Sequence, residues 1–334
     1  MAKKIKDTDY LVISARIRAM ENTLMTRERM EQLLDARAQE EVAKILQDCG
    51  YPQLDPTHPE AMDAVLSAAR EAVLEDLATG TPDARYIDIF KLKYDYHNAK
   101  SILKAQVMGV SPDRMLMDMG RVPAETLKAE FAAGEWNEVP QLLAAAIDEA
   151  KEVLDTTRDP QLSDIVLDRW SYRDMAAVAE ATGSSFLEGY VKAQIDAANL
   201  RALVRTLRMG KNETFLSGVL FEGGEIPLDD LLKVSEAKGE GMTELYEATR
   251  FEEAALAGKE ALQAESLVAF EKLCDDAISQ YLAGAQMVTF GEAPLVGYLA
   301  ARETEYTNLR ILLTGRATGL DPDVIRSRLR RSCV

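Results

Sequence analysis

Three times along this chain an acid is followed by two residues, an asparagine, an apolar residue, a cation and, after one more residue, two apolar positions. The copies are Asp95-Tyr-His-Asn98-Ala-Lys100-Ser-Ile-Leu103, Asp196-Ala-Ala-Asn199-Leu-Arg201-Ala-Leu-Val204 and Glu305-Tyr-Thr-Asn308-Leu-Arg310-Ile-Leu-Leu313, with asparagines 101 and 109 residues apart. Upstream of each lies a second acid in an amphipathic stretch, Asp63, Asp164 and Glu271, at 32, 32 and 34 residues before the first. Gly120-Arg-Val-Pro123 and Gly224-Glu-Ile-Pro227 follow the first two asparagines, and Gly319-Leu-Asp-Pro322 follows the third more closely. Two marks repeated at matched spacing predict related units of roughly 100 residues in tandem. We expect units at 1–87, 88–188 and 189–334, the last with additional closing helices.

The units are predicted to be helical. Apolar residues recur with a 3.6-residue period through 9–46, 59–77, 88–108, 139–154, 162–181, 185–209, 264–283 and 294–313, with Gly and Pro between these runs. Aromatics are only 6% of the chain while Ala, Leu, Glu, Arg and Met abound, and straight-chain residues lose little rotamer freedom in a helix. Alternating β-branched runs are nearly absent. The fold class is all-α.

Helix geometry limits what the repeated polar residues can do. At about 100° per residue, Asn98 lies about 60° from Asp95, beside the half of the helix that carries Ala99, Ile102 and Leu103, while Lys100 points about 200° away from it. Acid and amide therefore border a buried face, where polar groups need partners. The expectation for Asp95, Asn98, Asp196, Asn199, Glu305 and Asn308 is bonding to a neighbouring helix that fixes packing between units; the alternative is a surface that grips a partner. The outward cations Lys100, Arg201 and Arg310 are candidate partner contacts. So are Arg16 and Arg18 in the first helix; Arg326, Arg328, Arg330 and Arg331 form a second basic patch, read as a solvated face or a contact to an acidic partner.

Chemical machinery is not in view. The chain has no GxxxxGK[ST] loop and no GxGxxG, and its two histidines, His58 and His97, form no HExxH pair. The acid pairs Asp229-Asp230 and Asp275-Asp276 lack the third acid that a diphosphate-bound magnesium site of the DDxxD kind needs. No catalytic, cofactor or metal site is expected. A net charge of −17 argues against nucleic acid, which requires a basic footprint. Cys49, Cys274 and Cys333 are scattered, as free thiols in a reducing compartment would be, and no run nears the roughly 18 apolar residues that would span a bilayer. A cytoplasmic protein, at most docked on a membrane complex, is expected.

The pattern resembles a family. The C subunit of V/A-type ATPases, equivalent to the d subunit of the eukaryotic vacuolar enzymes, begins with a Tyr-x₅-Arg-x-Arg helix, matched here by Tyr10, Arg16 and Arg18. It repeats an Asp-x-x-Asn-Leu helix, as at Asp95, Asp196 and Glu305, and carries a late Tyr-x-x-x-[KR]-Glu-x-Glu segment, matched by Tyr298, Arg302, Glu303 and Glu305. The resemblance implies three pseudo-threefold-related helical subdomains forming a funnel-shaped collar. It implies a non-catalytic part of the central stalk, a socket that takes the end of the D–F shaft, stands on the membrane proteolipid ring and transmits torque. A helical-repeat scaffold of another assembly is the alternative.

Overall fold

A computed structural model describes residues 5–332, which leaves Cys333 outside the described part. Every regular element in that span is a helix, so the all-α class holds. In chain order these are α1 (Leu11–Glu21), α2 (Arg27–Asp35), α3 (Gln39–Asp48), α4 (Pro59–Ala78), α5 (Arg85–Met108), α6 (Ala124–Ala133), α7 (Gln141–Thr157) and α8 (Pro160–Thr182). There follow α9 (Ser185–Arg208), α10 (Glu213–Val219), α11 (Leu228–Glu236), α12 (Met242–Leu245), α13 (Glu252–Ala261), α14 (Val268–Leu282), α15 (Glu292–Ala317) and α16 (Pro322–Arg328).

The run expected as one helix over 9–46 is broken into three. Asn22 and Thr23 turn their side chains back onto the carbonyls of Ala19 and Met20, at 3.3 and 2.8 Å. Such bonds compete with the helix ladder. Thr26 then restarts it by accepting the Arg29 N–H, and Arg316 caps the far end of α2 by donating to the carbonyls of Leu33, Leu34 and Ala36 at 2.7–2.9 Å. The expected helices at 88–108, 162–181 and 185–209 correspond closely to α5, α8 and α9.

The chain forms two compact units. One is Ala84–Glu236, in which α8 packs along α7 and α5 over a core that includes Leu92, Ala99, Leu127, Leu143, Ile147 and Leu167. The other joins Met1–Asp83 to Ala237–Val334. Its axis is α15, buried against α1, α4, α2, α14 and α16, so that Tyr306, Leu309 and Leu312 share a core with Leu33, Leu46 and Tyr51. Each fully buried Leu of this kind contributes roughly 1.5–3 kcal/mol relative to exposure.

A third echo of the repeat stands at the helix ends. Gly109, Gly210 and Gly319 each lie eleven residues beyond their asparagine, with φ of 65°, 64° and 69°. In each copy the N–H after the glycine reaches the carbonyl five residues back, on Ala105, Thr206 and Gly315, at 3.0, 3.1 and 2.9 Å. This is a Schellman ending, which needs a left-handed residue and so favours glycine. Gly319 is thus the counterpart of Gly109 and Gly210 and not, as its Gly-x-x-Pro setting suggests, of Gly120 and Gly224.

Candidate functional site

The repeated acid and asparagine build a polar clasp that ties each long helix to a later stretch of backbone. In the first copy the Asn98 amide donates to the Met117 carbonyl and accepts the Met117 N–H, both at 2.8 Å. Asp95 accepts the N–H groups of Arg121 and Val122 at 2.9 and 3.2 Å, and the Arg121 guanidinium at 2.6 Å. The second copy repeats this on Phe221, at 2.8 Å in both directions with Asn199, while Asp196 accepts from Glu225 and Ile226 at 3.0 and 3.1 Å. In both, the acid's first partner lies four residues after the amide's partner. Gly120 and Gly224 stand one residue before that acid partner, and a Cβ on either would lie 2.2 Å from the aspartate Oδ1. The glycines are there because the carboxylate is there.

The partners differ from the expected neighbouring helix. Both clasps close on loop backbone, because the border of the buried face is where the following loop crosses back over the helix. The third copy keeps half of the pattern: Asn308 exchanges bonds with Arg330 at 2.9 and 2.7 Å, again 22 residues on, as Phe221 is from Asn199. Its acid turns elsewhere. Glu305 accepts the Met25 N–H at 2.5 Å, Arg302 at 2.6 Å and the Tyr51 hydroxyl, and so holds α15 to the N-terminal segment. Arg302 is itself buried, its guanidinium 5.7–5.9 Å from the ring centres of Tyr51, Tyr298 and Tyr306. Burial pushes the Glu305 carboxyl above its ordinary value, with Arg302 pulling the other way; Asp95 is raised by burial in the same manner, opposed by Arg121. Arg121 also bridges to Asp174 at 2.6 Å.

The candidate contact cations are engaged within the chain. Lys100 pairs with Asp168 at 2.5 Å and Lys104 with Asp164 at 2.6 Å, joining α5 to α8. Arg310 pairs with Asp63 at 2.8 Å, joining α15 to α4. Two of the upstream echo acids, Asp63 and Asp164, thus meet cations of the asparagine helix of another copy. Arg201 is half-buried and acts on the Tyr172 phenol, lowering a pKa that burial pushes up to about 12. Arg16 grips Asp76 through both carboxylate oxygens, and Arg18 reaches Glu21 at 2.8 Å and the carbonyls of Ala285 and Val288 at 3.0 and 2.7 Å. Sequence patterning does not mark Arg121, Asp174, Tyr51 and Arg302 as site residues. Only the Gly-x-x-Pro signature beside Arg121 and the Arg-Glu-x-Glu segment at Arg302 point toward them.

The family model for the ATP synthase (C/AC39) subunit matches residues 13–328. The chain belongs to this family. Among curated relatives, the C subunit of the V-type sodium ATPase of Enterococcus hirae is 26% identical over 97% of this chain and 98% of that protein. The C subunit of the A-type ATP synthase of Methanocaldococcus jannaschii is 25% identical over 96% and 86%, and that of Thermococcus kodakarensis 22% over 96% and 90%. As a member of the C/AC39 family the chain is a structural and not a catalytic component of a V/A-type ATPase complex. Its acid pairs are used accordingly: Asp230 holds Lys233, Asp275 holds Arg330 and Asp276 holds Lys272. Among the described residues no three His, Cys, Asp or Glu side chains converge on a metal position, and no helix is long and apolar enough to cross a membrane.

Proposed function

We propose that this protein is the rotor socket of a proton- or sodium-translocating V/A-type ATPase or ATP synthase. Three tandem helical units, at 1–87, 88–188 and 189–334, form a funnel around a pseudo-threefold axis. The funnel takes the end of the D–F shaft and stands on the proteolipid ring at the cytoplasmic face of the membrane. It transmits torque and performs no bond chemistry. The observation that carries the reading is the clasp itself. A coupling part must not yield under load, and here a buried asparagine in each copy pins its long helix to later backbone by the same two-way exchange of hydrogen bonds. Paired buried polar networks of this kind rigidify a fold and specify one arrangement. Closure of the first segment onto α15 through Glu305 and Arg310 supports a ring-like order of the units. Arg16 and Arg310 sit in exposed pairs worth about 0–1 kcal/mol each, so a partner could take either cation at small cost.

The test is native mass spectrometry of the purified chain with the D–F shaft of the same organism. A stable one-to-one-to-one complex is expected. Its absence across a range of salt concentrations would sink the socket reading and leave a scaffold of some other assembly.

A further inference from the structure

Arg326, Arg328, Arg330 and Arg331 cluster at one end of a chain of net charge −17, and the clasps use none of their guanidinium groups, only the Arg330 backbone. The structure gathers three of them around a cavity of about 460 Å³, together with Arg27 at the start of α2 and Lys272 on α14. Two carboxylates, Glu31 and Asp276, also face it, and Met30 and Leu329 add apolar wall. The five cations of the lining meet four carboxylates, Glu31 and Asp276 in the wall and Asp275 and Asp323 just outside it, on an acidic protein.

Part of that charge is balanced. Arg326 donates to Glu31 at 2.8 Å and also to Asp323, Lys272 to Asp276 at 2.5 Å, and Arg330 to Asp275, outside the lining, at 2.6 Å. Arg27 and Arg331 are different: among the described residues neither guanidinium has a hydrogen-bond or ion-pair partner. Arg331 is nevertheless held at the rim, because its backbone N–H donates to Asp276 at 2.6 Å. Two open guanidinium forks, anchored beside three neutralised cations, are arranged to receive something anionic.

We propose that this cavity binds a compact polyanion carrying two or more phosphoryl groups. Guanidinium forks match phosphate oxygens in bidentate fashion. The volume falls within the roughly 300–1,000 Å³ of small-ligand sites and is too small for a folded segment. A single carboxylate would engage one of the two open guanidinium groups, whereas a diphosphate group offers oxygens to both. The phosphoryl groups would come either from a free nucleotide tail or pyrophosphate, or from a phosphorylated lipid headgroup.

The experiment is calorimetric titration of the full chain with inorganic pyrophosphate at constant ionic strength, beside the double variant Arg27→Gln, Arg331→Gln. Neither arginine holds a partner, so the variant should keep the parental Tm without ligand. One saturable site is expected, weakened about tenfold or more in the variant, as the loss of two charge-assisted contacts requires. Absence of saturable binding, or equal affinity in the variant, overturns the proposal. Tighter binding of a hexa-aspartate peptide than of pyrophosphate overturns it in favour of a protein partner. Co-sedimentation with phosphatidylcholine vesicles containing a doubly phosphorylated inositol lipid separates the sources. Capture that pyrophosphate reverses assigns the headgroup, and pyrophosphate binding without capture assigns the free anion.

Discussion

Asn199 is fully buried and spends one donor and one acceptor on the same residue's backbone, at Phe221. Truncation would strand the N–H and C=O of half-buried Phe221 together, and each unsatisfied group costs about 1–3 kcal/mol when shielded from water. Asn199→Ala is therefore expected to lose about 2–4 kcal/mol in urea denaturation, with Asn199→Asp intermediate because it restores only the acceptor. A loss below about 0.5 kcal/mol would show that the clasp is incidental. The third clasp carries a pH signature. Burial raises the Glu305 pKa in the folded chain, against Arg302. A carboxyl raised in this way binds its proton more readily when folded. Its contribution is then present below the unfolded value of about 4.3 and is lost as pH rises through the folded pKa. The stability of the parent relative to Glu305→Gln should accordingly decline as pH rises above the unfolded carboxyl value of about 4.3. A gap that stays level, or moves the other way, would contradict the raised carboxyl.

The elements were legible where the signal sat in side chains. Asp95, Asn98, Asp196 and Asn199 could be found because each copy needs the same two side chains at helical spacing, and the face they border followed from geometry. Their partners could not be found, since Met117, Phe221 and Arg330 take part through backbone N–H and C=O groups that any residue supplies. Gly109 and Gly210 were readable as breakers, but Gly319 was readable only as the start of a Gly-x-x-Pro sequence, which hid the offset of eleven residues that all three share. The single run over 9–46 failed for another reason: the apolar period continues through Asn22 and Thr23, whose side chains turn back onto helix carbonyls at the first break. Domain swaps between copies would test the helix endings crudely; a point change tests them better. Gly210→Ala keeps space free, with no atom within 4 Å of the new Cβ, so its effect isolates the left-handed φ. A loss of about 1 kcal/mol is expected, and no loss in a thermal melt would mean that α9 ends by tertiary contact instead.

Connectivity sets a constraint that no single helix reveals. The unit Ala84–Glu236 is continuous in sequence and owns its core, from Leu92 and Leu127 to Ile147 and Leu167. The other unit is assembled from both sides of it, and Leu33, Leu46 and Tyr51 share one core with Tyr306, Leu309 and Leu312. A fragment spanning 84–236 is of a size that buries about 68–70% of its unfolded surface, and is expected to melt cooperatively by circular dichroism. A fragment spanning 1–83 is expected not to. It would expose its half of a shared core and leave the Met25 N–H and the Tyr51 hydroxyl without the Glu305 carboxylate that holds them. Adding a fragment spanning 237–334 should restore helicity to the mixture, because α15 supplies the missing surface. If 1–83 folded alone, α15 would be an ornament on a finished domain. If the two outer fragments fold only together, the central unit is spliced into a body closed by both flanking segments of the chain.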